Sequence, residues 1–371
     1  MALRVLSIFG TRPEAVKMAP VVRELARTEG IEARVCVTAQ HRQMLDQVLN
    51  LFDIHPDVDL DLMRENQTLA ELSAAICTHL DPVLEKLKPD WVLVQGDTTS
   101  VAIASLLAYY RRIRVGHVEA GLRTNDKWQP FPEEINRRVA GVVADLHFAP
   151  TEWARQNLLR EGVPDERIAL TGNPVIDALH LVAKQDAPQE VSSLLSRLGL
   201  DHGRRLILVT AHRRENFGQP VESICKALEQ LAGRGDVELV YPVHLNPNIH
   251  EPVHRLLEGV AHVTLLPPLD YLPLVHLIQR AHLVLTDSGG IQEEAPAFGV
   301  PALVLRQVTE RPEGVQAGVA RLVGTEAARI VEAASSLLDD PAAHAHMAKA
   351  VNPYGDGRSA GRIVQAILQN P

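Results

Sequence analysis

The sequence predicts an α/β protein made of two Rossmann-like domains, each a doubly wound parallel sheet, facing each other across a cleft. Apolar segments of strand length alternate with segments of helical periodicity, and the alternation restarts near residue 206. The chain of 371 residues is long enough for two domains with separate cores. Both halves open with a strand that ends in basic residues, so one plan recurs in the two domains.

The first domain is predicted to cover residues 1–172. Its strands are predicted at 3–9, 34–38, 91–95, 115–118 and 146–148, each a short apolar run. Helical patterns fill residues 14–27, 42–51, 69–87 and 100–110. A further helix is predicted at 152–161, and the segment 168–170 leads to Gly172-Asn173-Pro174, where we expect the chain to cross to the second domain.

The second domain is predicted to cover residues 173–357. Its strands are predicted at 206–210, 239–241, 263–265, 283–286 and 302–305, with helices between them. Residues 186–204, which precede these strands, are polar and predicted to be irregular around one short leucine-rich turn. The final segment, 358–368, is predicted to form a helix with no strand after it.

Composition and charge exclude several classes of protein. The apolar fraction of 46% and the charged fraction of 22% are ordinary for a soluble globular protein. A formal net charge of −9 argues against a broad nucleic-acid-binding surface. No apolar run approaches the ~20 residues that a membrane span needs, and the N-terminus has no signal-peptide pattern. We therefore expect a cytoplasmic protein that binds neither nucleic acid nor membrane.

The cysteines and histidines point to no metal site. Cys36, Cys77 and Cys225 form no CxxC pair, and each lies in an apolar segment, which predicts three buried, reduced thiols. The 16 histidines show no metal-ligand spacing. Neither G-x-G-x-x-G after the first strand nor G-x-S-x-G occurs. We therefore expect no metal and no redox cofactor.

The stretch 282–301 reads HLVLTDSGGIQEEAPAFGVP and combines a strand, a glycine turn and a helix predicted over 291–298. The backbone N–H groups of Ser288, Gly289 and Gly290 at such a helix start attract an anion, and glycines admit a close approach. The pattern indicates a site for a diphosphate. The alternative, a strand–helix joint whose glycines only relieve crowding, stays open at this point.

A carboxylate follows this turn at the right distance for a ribose. Glu294 lies one helical turn beyond the glycines, where it can accept two hydrogen bonds from a vicinal diol. A diphosphate on the amides and a ribose on Glu294 together describe a nucleotide-diphosphate site.

Charged residues also follow the other strands, at the carboxyl edge where open α/β sheets bind ligands. They are Arg12, Lys17, Asp97, Glu119 and Glu133 in the first domain, and His212, Arg213 and His244 in the second. Each has an ordinary alternative: Asp97 as a helix cap, Glu119 and Glu133 as surface carboxylates, and the Arg213–Arg214 pair as a solvated charge run. Because all fall on the same predicted rim, the set favours a functional site.

Ten motifs, spread over nearly the whole chain, resemble those of the non-hydrolysing UDP-N-acetylglucosamine 2-epimerases. They are GTRPEAVKMAP (10–20), VTAQHRQML (37–45), GDTT (96–99), GHVEAGLR (116–123), PEEINR (132–137), HRREN (212–216), YPVHLNP (241–247), TDSGGIQEEAP (286–296), TERPEG (309–314) and NPYGDGR (352–358). The resemblance implies the glycosyltransferase-B-like fold, with the C-terminal helix 358–371 packing back on the first domain. It also implies a cytoplasmic homodimer that makes UDP-N-acetylmannosamine for surface polysaccharides.

Under this resemblance, the expected reaction inverts C2 of the sugar by elimination. No carbonyl acidifies the C2 hydrogen, and the fingerprint of a nicotinamide route is absent, so a base takes the C2 proton while UDP leaves C1 and a bound glycal forms. The expected acid/base set is Asp97, Glu119 and Glu133. The diphosphate is expected on Arg12, Lys17, His212 and the Ser288–Gly290 amides, with the ribose on Glu294; His212 is also expected to protonate or hydrogen-bond the departing oxygen.

The resemblance further implies that UDP-N-acetylglucosamine binds a second time, as an activator. The matching positions are Gln40, Gln43, Arg213 and His244. Activated relatives can carry a basic residue just before Gln67, whereas this chain has Asn66, so weakened or absent activation is expected. Gln40 and Gln43 are also consistent with capping the helix that begins near residue 41.

Three other functions stay open from the residues alone. A glycosyltransferase of the same fold needs the same nucleotide site and an acceptor pocket. A hydrolysing 2-epimerase releases N-acetylmannosamine and UDP. A non-catalytic nucleotide-sugar sensor binds without turnover, and the carboxylate set argues against it.

Overall fold

The computed structural model describes residues 2–39, 42–64, 66–200 and 203–370. The chain divides into two compact units: unit 1 comprises Met1–Leu181 and Tyr354–Pro371, and unit 2 comprises Val182–Pro353. In the described ranges, unit 1 contains a parallel sheet of seven strands and unit 2 a parallel sheet of six. The predicted fold class, two doubly wound parallel sheets of similar size, is confirmed.

Unit 1 alternates strands and helices along the chain. Its strands are β1 (Leu3–Phe9), β2 (Ile31–Val37), β3 (Val58–Asp59), β4 (Trp91–Gln95), β5 (Arg114–Val118), β6 (Leu146–Ala149) and β7 (Ile168–Leu170). Its helices up to residue 182 are α1 (Arg12–Arg27), α2 (Arg42–Phe52), α3 (Leu69–Leu87), α4 (Thr99–Tyr110), α5 (Glu133–Val143), α6 (Glu152–Arg160) and α7 (Pro174–Val182). The predicted elements of this half are confirmed to within a few residues, whereas β3, α5 and α7 were not predicted.

The strand order of unit 1 brings its loops together. The order β3-β2-β1-β4-β5-β6-β7 places β1 beside β4, where the direction of winding reverses. Ile8 pairs with Val94, and Gln95 pairs with Val118. The loops after β1, β4 and β5 therefore leave the sheet side by side, at the position where such sheets bind ligands.

Helix α3 shows how burial follows the sequence, and it corrects one prediction. Thr68 caps the helix, and Leu72, Ile76, Leu80 and Leu84 recur every fourth residue as its buried stripe. Cys77 lies beside that stripe and is exposed, so the prediction of three buried thiols is wrong for this residue.

The two remaining thiols lie in the cores, as predicted. Cys36 on β2 and Cys225 are both buried, and burial raises the pKa of each thiol to about 12.

Unit 2 repeats the alternation in the order β10-β9-β8-β11-β12-β13. Its strands are β8 (Arg205–Thr210), β9 (Val237–Pro242), β10 (Val263–Leu266), β11 (Leu283–Thr286), β12 (Ala302–Val304) and β13 (Ala320–Leu322). Its helices are α8 (Gln189–Arg197), α9 (Gln219–Ala232), α10 (Pro247–Leu257), α11 (Tyr271–Arg280), α12 (Gly289–Glu294), α13 (Pro312–Gln316), α14 (Ala327–Asp339) and α15 (Pro341–Ala348). The five predicted strands are confirmed, and β13 was not predicted.

Two predictions for unit 2 are wrong in detail. The segment 186–204, predicted to be irregular, contains helix α8, because Val191 and Leu194 lie on one face of it and are buried. The helix predicted over 291–298 begins earlier and ends at Glu294, and Ala295–Phe298 forms a 3-10 turn. Pro296 explains the change, since it has no N–H with which to continue the α-helical hydrogen bonds.

The C-terminal helix, α16 (Ser359–Gln369), belongs to unit 1 and packs against α1. Asp177 of α7 accepts hydrogen bonds from the backbone N–H groups of Ser359 at 3.1 Å and Ala360 at 2.9 Å, which satisfies the start of this helix. The domain boundaries predicted after residues 172 and 357 stay predictions. In the described part of the chain, no helix combines the length and apolarity needed to cross a membrane.

Candidate active site

The loop after β1 is held by Glu14. Its carboxylate accepts from the backbone N–H groups of Gly10 at 2.8 Å and Thr11 at 2.7 Å. It also accepts from the Thr98 hydroxyl at 2.6 Å, which ties this loop to the one after β4. Burial raises the pKa of Glu14, and the hydrogen bonds offset that effect only in part. Gly10 is required here, because a Cβ would lie 1.9 Å from the Thr38 hydroxyl oxygen.

Glu119, after β5, is a buried carboxylate with three donors. The Lys17 ammonium lies 2.5 Å from it, the Gln95 amide nitrogen 2.5 Å and the Asn173 amide nitrogen 2.8 Å. Its backbone has a φ of +63°, a left-handed conformation that costs a residue other than glycine about 1–3 kcal/mol. The alternative of a surface carboxylate is therefore wrong for Glu119. Arg12, the other predicted cation of α1, is exposed in its first turn.

Asp97, after β4, is oriented by Arg137 of α5. Its Oδ2 accepts from the Arg137 Nε at 2.9 Å, and Nη2 lies 2.7 Å away. The Asn136 amide donates to the Asp97 backbone carbonyl at 2.9 Å. The alternative role of Asp97 as a helix cap is wrong, because the Thr98 hydroxyl caps α4 by accepting from the N–H of Val101. The Asp97 carboxylate is thus held beside a cation without serving the helix.

The two adjacent acids at the start of α5 have different surroundings. Glu134 is fully buried and accepts from the N–H groups of Thr124 at 3.1 Å and Asn125 at 3.3 Å. It also lies 3.2 Å from Arg137, so it supports the loop and the arginine. Glu133 is half-buried, and its Oε2 is a buried atom without a hydrogen bond among the described residues. Glu133 is therefore the one of the pair that is available to a ligand.

His117 and Arg123 stabilise the loops that follow β4 and β5. The His117 Nε2 donates to the Gly96 carbonyl at 2.7 Å, and burial lowers its pKa to about 4, so the ring is neutral at pH 7. The buried Arg123 guanidinium forms a bidentate pair with Glu161 at 2.7 and 2.8 Å. Both are structural members of the motif 116–123.

In unit 2, Asp287 organises the loop that carries His212. The Asp287 side chain is fully buried, and its Oδ2 accepts from the backbone N–H groups of His212 and Arg213 and from the Asn216 amide, each at 2.8 Å. Its Oδ1 lies 3.5 Å from the His212 Nδ1. One carboxylate at the end of β11 therefore fixes the loop after β8.

The glycines of the turn after Asp287 have separate physical reasons. A Cβ on Gly289 would lie 3.1 Å from the Arg311 and Glu310 side chains, so these crowded neighbours would have to shift to admit a larger residue. A Cβ on Gly290 would meet only the Ser288 hydroxyl, at 3.9 Å, so open space lies beside its backbone. The alternative in which the glycines only relieve crowding therefore explains Gly289 and not Gly290.

Glu294, at the end of α12, is buried and accepts from the Tyr271 hydroxyl at 3.1 Å. Burial and the neighbouring carboxylate raise the pKa of Tyr271 well above its usual range, so the hydroxyl stays a donor. This pair gives Glu294 a defined orientation.

Three arginines converge on Glu310 beside the turn. Arg306 lies 2.5 Å, Arg311 3.2 Å and Arg213 3.3 Å from its carboxylate. Burial works against ionisation of Glu310, but the arginines outweigh it and lower its pKa to about 2. Arg213 is thus an ion-pair member rather than part of a solvated charge run, and Arg214 is exposed.

The family model for UDP-N-acetylglucosamine 2-epimerase matches residues 23–368. The chain belongs to this family. It is 55% identical over 369 residues to the UDP-N-acetylglucosamine 2-epimerase of Yersinia pestis and 55% identical over 371 residues to that of Salmonella typhimurium, with 98% of each chain covered. The crystal structure of UDP-GlcNAc 2-epimerase from Neisseria meningitidis bound to UDP-GlcNAc is 47% identical, with a TM-score of 0.89, and the match covers 99% of this chain and 100% of that one. Members of the 2-epimerase family are isomerases, which confirms the predicted class of enzyme.

Of the four predicted effector residues, the structure describes the side chains of Arg213 and His244. Gln40 and the side chain of Gln43 lie outside the described residues. The His244 ring lies 5.7 Å from the His212 ring, nearly parallel to it, and its Nδ1 accepts from the N–H of Asn246 at 3.0 Å. Asn66, at the position of the departure, is exposed and has a φ of +57°.

Several residues of the candidate site were not predicted from sequence. They are the partners of the predicted acids: Gln95 and Asn173 on Glu119, Arg137 on Asp97, and Tyr271 on Glu294. Gln95 directly precedes the motif GDTT, and Arg137 is the last residue of the motif PEEINR. Their place in or next to these motifs was the sequence signal that could have identified them. Across the described ranges, no group of three His, Cys, Asp or Glu side chains is arranged to hold a metal ion.

Proposed function

We propose that this chain reversibly epimerises UDP-N-acetylglucosamine at C2 to UDP-N-acetylmannosamine. The observation that carries the proposal is the Glu119 carboxylate, held by Lys17, Gln95 and Asn173 in a strained backbone conformation. Strain that the surroundings maintain is typical of a group that acts on a ligand. Family membership and the substrate-bound structure of the Neisseria relative support the choice of substrate.

The proposed chemistry is elimination followed by re-addition. A carboxylate takes the C2 proton, the C2–H electron pair forms the C1–C2 double bond, and the C1–O bond breaks so that UDP leaves with its electron pair. An acid then delivers a proton to the opposite face of C2 while UDP returns to C1. Two groups near opposite faces of the ring are needed for this sequence.

Asp97, Glu119 and Glu133 form the proposed acid/base set. Their surroundings suit different tasks, because Arg137 orients Asp97 and Lys17 balances the charge of Glu119. Glu133 has a buried oxygen to which no described residue donates a hydrogen bond, so this oxygen is available to a donor on the ligand. Fixed positions matter here, because a proton must be exchanged within hydrogen-bond reach of C2.

The nucleotide is proposed to bind through unit 2. The backbone N–H groups of Ser288, Gly289 and Gly290 receive the diphosphate, for which the open space at Gly290 leaves room. Glu294 accepts from the ribose diol, and His212 donates to the departing oxygen. From unit 1, Arg12 and Lys17 are proposed to add positive charge, with Lys17 shared between Glu119 and the diphosphate.

We propose that the enzyme retains UDP and does not hydrolyse it, and that it acts as a cytoplasmic homodimer that supplies surface polysaccharide synthesis. These statements rest on the motifs shared with the non-hydrolysing enzymes. Retention of UDP also suits the elimination route, because re-addition needs the diphosphate to stay bound next to the glycal.

Regulation by the substrate is a further part of the proposal. Gln40, Gln43, Arg213 and His244 match the positions at which a second UDP-N-acetylglucosamine activates relatives. Arg213 is paired with Glu310 at 3.3 Å, so an anionic effector has to compete with that carboxylate. The test is the reverse reaction from pure UDP-N-acetylmannosamine, which should show a lag. Trace UDP-N-acetylglucosamine should abolish this lag in the wild-type enzyme, and the Gln43→Ala variant should respond less to the same addition. A reaction at full speed from the start would exclude the effector site.

The central experiment is a proton NMR time course of the enzyme with UDP-N-acetylglucosamine in deuterium oxide. We expect UDP-N-acetylmannosamine with deuterium at C2, because the outgoing and incoming protons meet different groups. Free N-acetylmannosamine and UDP would indicate a hydrolysing enzyme, and an unchanged spectrum would indicate a binding protein or a transferase without its acceptor. An epimer that keeps its original hydrogen quantitatively would exclude the elimination scheme.

A further inference from the structure

We propose that Asp287 is a positioning residue for His212, which it holds as a protonated imidazolium toward the departing diphosphate. The inference rests on the proposed function, in which His212 donates to the oxygen that leaves C1. It assigns a second task to the carboxylate that anchors the loop after β8.

The two oxygens of Asp287 have different surroundings. Oδ2 accepts three hydrogen bonds of 2.8 Å from the loop, two from backbone N–H groups and one from the Asn216 amide. Oδ1 is buried and has no hydrogen bond among the described residues, and it lies 3.5 Å from the His212 Nδ1. A buried carboxylate oxygen without a donor is costly, so this atom favours a proton on the facing ring nitrogen.

The sheet register fixes the distance between the ring and the carboxylate. Thr210 and Thr286 are paired at the ends of β8 and β11, and their hydroxyls are 2.6 Å apart. The N–H of Asp287 continues the ladder to the Thr210 carbonyl at 3.0 Å. His212 and Asp287 therefore leave two hydrogen-bonded strands at the same level. Such distances often shorten when a ligand completes the site.

The charges around the ring favour the same protonation state. Asp287 faces His212 from the end of β11, and the His244 ring stacks on it from the loop after β9. Arg213, next in the chain, is paired with Glu310 at 3.3 Å, which reduces its repulsion of an imidazolium. With Nδ1–H directed at Asp287, a protonated ring presents Nε2–H to an anion.

Asp287→Asn separates this role from loop anchoring. The Asn oxygen can keep the three loop donors, while its NH₂ group turns toward the ring and needs Nδ1 as an acceptor. His212 is then restricted to a neutral ring with its proton on Nε2. The matched control is Asn216→Ala, which loosens the same loop and leaves the charge of Asp287 in place.

The first measurement is ¹⁵N NMR of the full-length protein with labelled histidine and bound UDP at pH 7, with His212 assigned from His212→Gln. Wild type and Asn216→Ala should show both His212 nitrogens protonated, and Asp287→Asn only Nε2. A wild-type ring with a single proton would overturn the proposal even if Asp287→Asn failed to fold. Equal changes in the two variants would reduce Asp287 to a loop anchor and also overturn it.

The second measurement is a double-mutant cycle on turnover. Asp287→Asn should lower kcat about 10- to 100-fold, the effect of losing one charged hydrogen bond, and should weaken UDP affinity much less. In a His212→Gln background the same change should cost far less, because its target is gone. Additive losses would contradict the inference. An inactive wild-type enzyme would instead refute the proposed function, and the NMR result would still decide the role of Asp287.

Discussion

Two glutamates, the buried Glu14 in unit 1 and the half-buried Glu310 in unit 2, support the loops of their units by different means. Glu14 accepts from two backbone N–H groups and one hydroxyl, all neutral, and burial raises its pKa. Glu310 is half-buried, and three arginines surround it and lower its pKa to about 2. The surroundings thus raise the pKa of the same side chain in one unit and lower it in the other.

The cations of the two units have different partners. In unit 1, Lys17 and Arg137 are paired with the candidate catalytic acids Glu119 and Asp97, and the loop after β1 is anchored by the neutral donors of Glu14. In unit 2, the candidate ligand groups include the backbone amides of Ser288, Gly289 and Gly290, and three arginines form ion pairs with Glu310 beside that turn. The cations of unit 1 thus contact candidate catalytic acids directly, whereas the arginines of unit 2 contact a glutamate that supports the turn.

The largest expected effect is on turnover, from the acids of unit 1. Asp97→Asn removes a proposed proton-transfer group and keeps an acceptor for Arg137, so kcat should fall about 10²- to 10⁴-fold. UDP affinity, measured by calorimetry, should stay near the wild-type value because unit 2 is unchanged. Glu152→Gln, which alters an exposed carboxylate of the same unit, is the control for kcat. A parallel loss of UDP affinity in Asp97→Asn would break the division of tasks between the units.

The second effect is on the stability of unit 2. Lowering the pKa of Glu310 from 4.5 to about 2 corresponds to about 3 kcal/mol, and Glu310→Gln should lose most of it at pH 7. Because the pKa is lowered on folding, this contribution is complete above pH 4.5 and disappears as the pH falls toward 2. The variant should therefore be less stable at pH 7 and should differ little from wild type near pH 2.

Hydrogen exchange of peptides from unit 2 measures the loss of stability expected in Glu310→Gln. Tryptophan fluorescence is the internal control, since Trp91, Trp128 and Trp153 all lie in unit 1. Unchanged exchange protection around residues 306–314 in Glu310→Gln would show that the arginines do not brace the turn.

The third effect is on nucleotide affinity. Glu294→Ala removes the proposed ribose acceptor, and a lost charged hydrogen bond should weaken UDP binding roughly 10- to 100-fold. Turnover at saturating substrate should change less, because Glu294 is outside the acid/base set. Tyr271→Phe removes only the donor that orients Glu294 at 3.1 Å, so its loss of affinity should be smaller. Unchanged UDP affinity in Glu294→Ala would mean that the ribose binds elsewhere.

The fold could be predicted from sequence because its signals are local. A continuous apolar run such as β4, fully buried, indicates a strand without reference to any other residue. The placement of Asp97, Glu119 and Asp287 at strand ends followed from the same pattern. Helix α8 was not predicted, because nine residues with two buried positions give a weak periodic signal.

The partners of the site residues could not be predicted in the same way. Lys17 meets Glu119 across 102 residues, and Asn173 meets it across 54, through the order of the strands rather than through spacing in the chain. Strand pairing also explains why Asp287 accepts three hydrogen bonds from one loop. Its donors at 212–216 are distant in sequence and become neighbours only when β8 pairs with β11. Sequence patterns indicate which edge carries the site, and strand register decides which side chains meet there.

The smallest expected effect is on the free energy of unfolding, from the matched substitution Glu14→Gln in unit 1. In Glu14→Gln, the amide oxygen can accept from the Gly10 and Thr11 N–H groups, and the amide nitrogen can donate to the Thr98 hydroxyl, so only the direction of the Thr98 hydrogen bond changes. The free energy of unfolding at pH 7 should change by less than about 1 kcal/mol, the size of one neutral hydrogen bond. The pH dependence should change more clearly. Because folding raises the pKa of Glu14, wild-type protein gains stability from this group as the pH falls toward 4.5 and loses it as the pH rises through the folded pKa.

The Gln variant lacks that group, so its stability relative to wild type should improve as the pH rises from about 4.5 to neutrality, the opposite of the trend expected for Glu310→Gln. Denaturant titrations followed by tryptophan fluorescence, which reports on unit 1, measure this difference at a series of pH values. A loss at pH 7 as large as that of Glu310→Gln would show that Glu14 acts as a charged anchor, and the contrast between the two units would not hold.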